Sequence, residues 1–338
     1  MGKTVKNDAY WTTQITGVGT FRPEDDLLHP EAKLTEPDAT LTESQYFGLC
    51  VPDKNIHGAL CLYWYPNIGQ ITGGVWIWEG FKHRYLTSEI FDWRNHMSDK
   101  ALTTLRDYTL VNGYNMRVVE PGKEFHAKYC DPVRNNSFDI RYTAIMAPFM
   151  LGSGNHFVQH MRTEGELLLR GKKYHVDGFT VRNRSWGQAR SESNQPLTPV
   201  TWMSGVYGPE FSFYCSIYDK PEDHVEWNGQ LSVPFGNGFC NGFIRINGQT
   251  VELAEGRKRM VRNPLTLFPE RVELDLVDRN GKRYSMVGTI VAASGNFGMW
   301  YNMDVAVCQT RWECNGQTGY GDVQDIKLGD FLYLAANL

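Results

Sequence analysis

Three Asn-Gly pairs in the C-terminal half constrain the fold of this chain more than any other feature. Asn247-Gly248, Asn280-Gly281 and Asn315-Gly316 each lie between two runs in which apolar and polar residues alternate. Asn and Gly tolerate the positive φ angles of a type I′ turn, whose twist matches that of two paired strands. The pattern therefore predicts a series of antiparallel β-hairpins.

The N-terminal half repeats this theme less regularly. The segments GALCLYWYP (58–66) and GGVWIWEGF (73–81) are typical of two strands joined by a short loop, and MRVVEPGKEFHAKY (116–129) of a hairpin that turns at its Pro-Gly pair. Another turn is predicted at Arg170-Gly171. Helix is expected only in short segments such as SDKALTTLRDY (98–108).

The number of strands and the length of the chain together indicate two β domains. Many short strands at regular spacing are typical of sandwiches and barrels, so the predicted fold class is mainly β with little helix. A chain of 338 residues exceeds the usual size of one domain. We place the boundary near residue 175, which gives an N-terminal domain of residues 1–175 and a C-terminal domain of residues 176–338.

Charge and composition exclude several classes of partner. The formal net charge is −4 and no basic face or charge run is present, so neither nucleic acid nor an anionic membrane surface is an expected partner. No apolar run approaches the roughly 20 residues that a membrane-spanning helix needs. The N-terminus lacks an apolar signal core, and we expect a cytoplasmic protein. A homodimer is expected from the many strands and aromatic residues.

No motif for a cofactor or a metal stands out. The seven cysteines include no Cys-x-x-Cys pair, and five of them lie in apolar strand-like runs, which is typical of buried free thiols. His156 and His160 are four residues apart but lack a third ligand at metal-binding spacing. Gly-x-Gly-x-x-Gly, phosphate-loop and Gly-x-Ser-x-Gly motifs are also absent from the sequence. The expected cofactor and the expected metal are therefore none.

The segment HVDGFTVRNRSWGQAR (175–190) concentrates cationic and aromatic side chains. In an extended chain Arg182, Arg184 and Trp186 share one face, while Asn183 lies on the other. A guanidinium beside a tryptophan can stack on it or hold a carboxylate or carbonyl oxygen with two hydrogen bonds. Two interpretations remain open, a structural clamp between the domains and direct contact of Arg184 with a ligand.

Several pieces of the sequence carry a resemblance to a known superfamily. They are Glu43-Ser44-x-Tyr46-Phe47, HFVQHMRTEGEL (156–167), VDGFTVRNRSWGQAR, Trp202 and GYGDV (319–323). In order and spacing they resemble the two-domain lipocalin-like (calycin) superfamily, which includes carotenoid 1,2-hydratase, AttH-like proteins and Diels–Alderase-type cyclases. The pattern is most similar to an uncharacterised bacterial branch with an Arg-Asp-His-Ser-Trp-Gly signature. The resemblance implies two consecutive lipocalin-like barrels or sandwiches and a hydrophobic pocket near their junction.

The chain departs from that signature where its chemistry would lie. Asn183-Arg184 stands in place of Asp-His. An Asp-His pair can exchange protons near neutral pH, whereas Asn does not titrate and Arg stays protonated. The acid or base role of the pair therefore does not carry over to this chain.

Other residues are candidates for proton transfer. Asp304 is a carboxylate within the apolar strand-like run MWYNMDVAVC, where it must be paired or have a raised pKa. An ion pair with a junction arginine is the alternative for Asp304. His160 is a candidate acid or base and Tyr129 a candidate phenolic proton donor, and for both an ordinary structural role remains open.

Aromatic residues supply the candidate ligand contacts. Trp76 and Trp78 are two apart in VWIW and so share a face, and Trp64 lies on the preceding strand. Together with Trp186 and Trp202 they can line a pocket for an aromatic or isoprenoid compound, or simply fill a barrel core. Asn183 completes the candidate substrate-binding residues.

The leading hypothesis is a cofactor-independent lyase or hydratase. It would carry out water addition or elimination, isomerisation or retro-aldol carbon–carbon cleavage on a hydrophobic small molecule. Asp304 or His160 would move the proton, and Arg184 would stabilise the developing oxyanion. A lipocalin-like carrier that does not turn its ligand over is the first alternative, and a structural or interaction protein is the second.

Overall fold

The computed structural model describes residues 19–29, 40–102, 106–152, 154–189, 196–224, 227, 229–234, 236–295 and 303–337. Twenty strands and one α-helix make up its regular structure, together with five short 3₁₀ turns among these residues. The strands are β1 (Leu41–Val51), β2 (Ile56–Tyr65), β3 (Gln70–Glu79), β4 (Phe81–Lys82), β5 (Ile90–Ser98), β6 (Asp107–Thr109), β7 (Asn115–Glu120), β8 (Glu124–Asp131), β9 (Asn136–Ala144), β10 (Phe149–Leu151), β11 (His156–Leu169), β12 (Lys172–Ala189), β13 (Val200–Gly208), β14 (Phe211–Tyr218), β15 (Phe239–Ile246), β16 (Gln249–Arg262), β17 (Pro269–Asp278), β18 (Arg283–Ser294), β19 (Met303–Cys314) and β20 (Gln317–Leu328). Helix α1 is Gly329–Ala336.

The strands form two sheets. The first is an open half-barrel with the order β5-β3-β2-β1-β12-β11-β9-β8-β7-β6, and β10 pairs with β11. The second has the order β17-β16-β15-β14-β13-β20-β19-β18, and pairing of β17 with β18 closes it into an eight-stranded barrel. Strand β4 crosses over from the N-terminal half and pairs in parallel with β18. The predicted mainly β fold of two antiparallel lipocalin-like domains is confirmed, with the first barrel open.

Local turn chemistry explains most of the hairpins. Asn247 and Asn315 have φ angles of 48° and 49°, and the glycines that follow them have 75° and 76°, as the predicted type I′ turns require. At Asn280-Gly281 only the glycine has a positive φ, of 81°, because the loop is longer and runs from Asp278 to Lys282.

One secondary-structure expectation was wrong. The described residues of the range 98–108 contain no α-helix: Ser98 ends β5, Asp99–Ala101 form a 3₁₀ turn and Asp107 begins β6, while residues 103–105 lie outside the described residues. Tertiary pairing overrides helix propensity here, because β6 forms the edge of the half-barrel beside β7. The α-helix lies instead at the C-terminus, where the sequence did not predict it.

The passage between the sheets follows β12. Residue 175, the expected domain boundary, lies within β12, which pairs with β11 and β1 of the half-barrel up to its end. The next strand, β13, belongs to the barrel. The division of the chain by sheets thus falls after Ala189, while the extent of the two independently folding domains stays a prediction.

A third core lies between the two sheets, in addition to one core inside each of them. We call this interface the junction; strands β1, β2, β3, β11 and β12 of the half-barrel meet β13, β14, β15, β18, β19 and β20 of the barrel there. Because strand side chains alternate between faces, each of these strands contributes half of its residues to the junction and half to its own sheet's core. Aromatic residues dominate the buried junction: Tyr46, Tyr63, Trp76, Trp78, Tyr214, Tyr218 and Phe243.

Candidate functional site

A buried carboxylate lies at the centre of the junction. Asp322 of β20 projects from the barrel and accepts a hydrogen bond of 2.5 Å from the hydroxyl of Tyr46 on β1 of the half-barrel. His57 of β2 approaches the other carboxylate oxygen, with its Nε2 3.6 Å from Asp322 Oδ1. Relative exposures are 3% for Asp322, 4% for Tyr46 and 0% for His57. The two sheets together therefore build a cluster that neither holds alone.

The pKa of Asp322 is raised to about 7, chiefly because burial penalises the charged form. The Tyr46 hydrogen bond opposes this increase by stabilising the carboxylate. Within the described part of the chain, no lysine or arginine forms an ion pair with Asp322. A carboxyl group with this pKa is present in both protonation states near neutral pH, as a general acid or base must be.

His57 lies beside this carboxylate as a neutral group, and Trp78 packs on His57. Burial lowers the pKa of His57 to about 3, so the His57–Asp322 contact is not an ion pair at neutral pH. The His57 ring packs edge-to-face on Trp78, with centroids 5.2 Å apart. Neither ring nitrogen of His57 nor the indole nitrogen of Trp78 has a hydrogen-bond partner among the described residues. Both side chains can therefore bind an oxygen atom of a bound molecule.

A second polar pair crosses the junction. His160 of β11 lies 2.9 Å from Ser212 Oγ of β14, measured from its Nδ1, and its ring packs against Phe243 at 5.3 Å. Burial lowers the pKa of His160 to about 3, so this ring too is neutral. Its Nε2 has no partner in the described ranges. His160 thus lies on the same interface as Asp322, and its role as an acid or base stays a prediction.

The predicted arginines face away from the junction. Arg184 lies inside the half-barrel, where it pairs with Glu43 and donates to the backbone carbonyls of Asp25 and Leu27. Glu43 also accepts from the backbone N–H of His29, 3.1 Å away. Arg184 therefore clamps the N-terminal segment around Asp25 and Leu27 to the half-barrel, and among the described residues none of its hydrogen bonds or ion pairs is with the barrel.

Arg182 makes the companion contacts. Its guanidinium holds Asp26 with two hydrogen bonds, of 2.6 and 3.2 Å, and lies 4.1 Å from the centroid of Phe125. Asp26 ends the 3₁₀ turn Pro23–Asp26 and also accepts from the backbone N–H of Gly122 at 2.6 Å. The N-terminal segment thus inserts a carboxylate into the half-barrel, and the cations of the Arg/Trp-rich segment serve to hold it.

Asp304 belongs to an ionic network inside the closed barrel. It lies 3.1 Å from Lys327 Nζ, which is an ion pair as the alternative interpretation expected, although with a lysine. Lys327 also approaches Asp325, and Arg262 bridges Asp325 to Asp219. Trp300 and Asn302, which an extended chain would place on the same face as Asp304, lie outside the described residues.

The remaining candidates divide between the two sides of the half-barrel. Trp76, Trp78 and Trp202 lie at the junction, and Asn183 pairs with Tyr46 and so shares its junction face. Three candidates face the half-barrel interior or its end instead. Trp64 donates to Asp99, Tyr129 donates to Asp92 beside an open cleft of about 490 Å³, and Trp186 stacks on His29. The structure therefore does not bring Arg184, Asp304, His160 and Tyr129 together.

Sequence reasoning missed Asp322, Tyr46 and His57 as site residues, although signals existed. Asp322 lies in GYGDV and Tyr46 in the Glu43-to-Phe47 piece, two of the segments that carry the family resemblance. The argument that selected Asp304, a carboxylate in a strand with apolar neighbours, applies equally to Asp322. The sequence does not show whether the side chain of Asp304 or that of Asp322 points toward the other sheet.

The described residues contain no group of three or more His, Cys, Asp or Glu side chains that could hold a metal ion. None of their helices has the length and apolar character needed to cross a membrane.

Residues 22–325 match a protein family described as a domain of unknown function (DUF7064), and the chain belongs to that family. No curated protein matches the sequence. Among solved structures, the chain is similar to kievitone hydratase from Nectria haematococca, with 13% identity, a TM-score of 0.52 and coverage of 93% of this chain and 98% of the other.

Two further structures show the same fold. One is a putative AttH from Nitrosomonas europaea, with 12% identity, a TM-score of 0.54 and coverage of 94% and 99% of the two chains. The other is CghA, with 11% identity, a TM-score of 0.52 and coverage of 94% and 96%. These likenesses agree with the resemblance to the lipocalin-like superfamily, while the bacterial branch and its signature stay predictions.

Proposed function

We propose that this protein is a lyase or hydratase that performs proton-transfer chemistry on a hydrophobic small molecule bound at the junction. The reaction would be addition or elimination of water, isomerisation or retro-aldol cleavage, and it would need no cofactor. The observation that carries the proposal is Asp322, a buried carboxyl group at the interface of the two sheets with a pKa raised to about 7. That one of the similar structures is a hydratase supports the reaction class.

Asp322 would transfer the proton. In an elimination its carboxylate removes a proton from carbon and returns it to the departing hydroxyl, which leaves as water while the double bond forms. In the reverse hydration its carboxyl group protonates one alkene carbon, water adds to the neighbouring carbon, and the carboxylate takes the proton that the water loses. Tyr46 holds the carboxylate by its 2.5 Å hydrogen bond and so stabilises the ionised form between the two steps. Because the pKa of Asp322 is about 7, its protonated and ionised forms are both populated near neutral pH. The proposed proton transfer therefore needs neither a metal nor an external base.

His57 and Trp78 would bind the oxygen of the substrate. His57 Nε2 lies 3.6 Å from Asp322 and Trp78 packs on the His57 ring; both rings are uncharged and can donate an N–H to a hydroxyl, carbonyl or developing oxyanion. Aromatic side chains of the junction, including Trp76 and Phe243, would contact the hydrocarbon part of the molecule. In this proposal Arg184 is a structural residue, because its contacts lie inside the half-barrel.

The test compares Asp322→Asn with Asp304→Asn. Each variant and the wild type are incubated in D₂O with a panel of lipophilic alkenes, tertiary alcohols and enolisable ketones that includes any compound that co-purifies, and deuterium uptake is followed by mass spectrometry. We expect Asp322→Asn to lose at least about a hundredfold in rate, as removal of a general acid–base group does. Asp304→Asn removes a carboxylate of the barrel interior and should retain the activity.

A lipocalin-like carrier is the second candidate. The near-complete burial of Asp322, which is 3% exposed, favours this candidate. Such burial suits a residue that holds the two sheets together more than one that exchanges protons with solvent. A carrier would bind a compound equally well in the wild type and in Asp322→Asn, without deuterium uptake in either. That outcome would contradict the enzyme proposal.

The cytoplasmic location and the homodimer also remain proposals. The location follows from the sequence alone, and the dimer can be measured directly. Light scattering of the purified protein should give about twice the mass of the 38.7 kDa chain. A monomeric mass would refute the dimer.

A further inference from the structure

Gly48 of β1 lies against the Asp322 carboxylate at the junction. A Cβ atom at Gly48 would lie 2.2 Å from Thr180 Oγ1, 3.0 Å from Asp322 Oδ2 and 3.3 Å from the carbonyl oxygen of Val181. The first of these distances is shorter than real Cβ contacts allow. The backbone of Gly48 is ordinary strand, paired with Ala59 of β2, so no unusual φ explains the glycine. Space explains it.

That space is filled from both sheets. Thr180 of β12 enters it from the half-barrel, and the Asp322 carboxylate enters it from the barrel. Thr180 is 1% exposed, and its hydroxyl has no hydrogen-bond partner among the described residues. We call the space the Gly48 notch. Because Tyr46 is only two residues from Gly48 on β1, a carboxylate seated in the notch lies within reach of the Tyr46 hydroxyl.

We infer that the Gly48 notch is a positioning device that seats the Asp322 carboxylate against Tyr46, an inference that rests on the proposed role of Asp322. A side chain at Gly48 would push the carboxylate back toward the barrel and lengthen the Tyr46 hydrogen bond. The ionised form of Asp322 would then lose its donor, and the group would titrate at higher pH. Gly48 and Thr180 are positioning residues, since they act through Asp322.

The other titratable groups around Asp322 do not change this direction. From the half-barrel these are Tyr46, Cys50, His57, Cys61 and Tyr142, and from the barrel Cys308. Burial raises the pKa of the tyrosines and the thiols and lowers that of His57, so all six are neutral around pH 7. The Asp322 titration can therefore be followed without a second group changing charge beside it.

The experiment isolates the contact with Asp322 by a double variant. Thr180→Ala removes the hydroxyl from the notch, and adding Gly48→Ala to it then places one methyl group 3.0 Å from Asp322 Oδ2, with the Val181 carbonyl oxygen at 3.3 Å as its other near contact. Protein labelled with [γ-¹³C]aspartate is titrated by NMR from pH 5 to 9, and Asp322→Asn identifies the signal. We expect the midpoint to lie about one pH unit higher in the double variant than in Thr180→Ala, as the loss of a charge-assisted hydrogen bond predicts.

Gly58→Ala is the matched control. It adds the same methyl group to the neighbouring strand, but that group meets Ile77 at 2.9 Å and Leu49 at 3.4 Å, in the half-barrel core. The Asp322 midpoint should therefore stay within a few tenths of a unit of the wild type. For a substrate found by the D₂O assay, the double variant should lower kcat about tenfold and change KM less than threefold.

Two results would overturn the inference. The first is an equal midpoint in Thr180→Ala and the double variant. The second comes from Tyr46→Phe, which removes the same hydrogen bond without adding a group; if it leaves the midpoint unchanged, seating against Tyr46 has no consequence, whether or not the double variant folds. Neither measurement needs a substrate, so failure of the enzyme proposal in the D₂O assay would be seen separately.

Discussion

Asp322 and Asp325 are three residues apart on one strand, and both are almost completely buried, yet they are opposite in kind. Asp325 faces the barrel interior, where Arg262 holds it with hydrogen bonds of 2.7 and 2.8 Å and Thr201 donates at 3.0 Å. The positive charges of Arg262 and Lys327 keep its pKa well below the usual range despite the cost of burial. Asp322 faces the junction, where a tyrosine hydroxyl is its only strong partner in the described chain, and its pKa is raised to about 7.

The difference shows that burial alone does not mark a functional carboxylate. A buried acid whose charge is matched by cations is part of the fold, because ionisation is already compensated. A buried acid without a cation is costly in its charged form, and the fold retains it at the expense of stability. The same contrast separates the buried arginines, which are paired inside the half-barrel, from the uncharged polar groups of the junction.

The largest effect that would test this comparison is on stability. Asp325→Asn leaves Arg262 and Lys327 without one of their carboxylates inside the barrel, so we expect the free energy of unfolding to fall by about 3–5 kcal/mol. Asp177→Asn is the control, because it breaks the exposed contact with Arg162 and should cost less than about 0.5 kcal/mol. Denaturant unfolding measures both. Equal losses in the two variants would remove the distinction drawn for Asp325.

The second effect depends on pH: removing the charge of Asp322 should raise the free energy of unfolding, whereas removing that of Asp325 lowers it. The pKa of Asp322 is higher in the folded chain than in the unfolded chain, so between about pH 4 and 7 the folded state binds the proton that the unfolded state has lost. Burial of Asp322 therefore does not lower the free energy of unfolding at low pH. It lowers it progressively as pH rises from about 4 to 7, and the loss stays constant above pH 7. Asp322→Asn should raise the free energy of unfolding by a few kcal/mol at pH 8 and change it little at pH 4.

This comparison must be made against the wild type at each pH. His57 and His160 have pKa values lowered to about 3, so their contributions rise with pH up to about 6.5 and oppose that of Asp322. They are present in both proteins and cancel in the difference. If the free energies of unfolding of wild type and Asp322→Asn differ by a constant amount from pH 4 to 8, the pKa of Asp322 is not raised in the folded chain.

Local features of the fold could be predicted from the sequence because their causes are local. The turns at Asn247 and Asn315 require only the φ angles that Asn and Gly tolerate, and the alternation of Arg182, Asn183 and Arg184 between two faces follows from the period of a strand. Both could be stated without knowing what the strands pack against.

The site could not be predicted in this way, because its causes are distant in the sequence. Asp322 meets Tyr46 across 276 residues, and Arg182 meets Asp26 across 156. Alternation separates Asp322 from Asp325 by face, but only the packing of one sheet on the other decides which face carries compensating cations. The charge of the segment 175–190 suggests a site built on arginines. The polar groups of the junction are instead neutral histidines and a carboxyl group that is only partly ionised at pH 7.

The smallest expected effect concerns Arg184 and separates the two interpretations of the Arg/Trp-rich segment. Arg184→Lys keeps a cation beside Glu43, but an ammonium group cannot also reach the carbonyl oxygens of Asp25 and Leu27 as the guanidinium does. We expect a loss of about 1–2 kcal/mol in the free energy of unfolding, from one or two hydrogen bonds. Turnover per folded molecule, and the Asp322 midpoint in the NMR titration, should not change, because Arg184 lies on the face of β12 away from the junction. If Arg184 instead holds a substrate oxyanion, the same variant would lower turnover by about a hundredfold with little change in stability. That result would return the catalytic site to the half-barrel interior and reduce Asp322 to a residue of the interface.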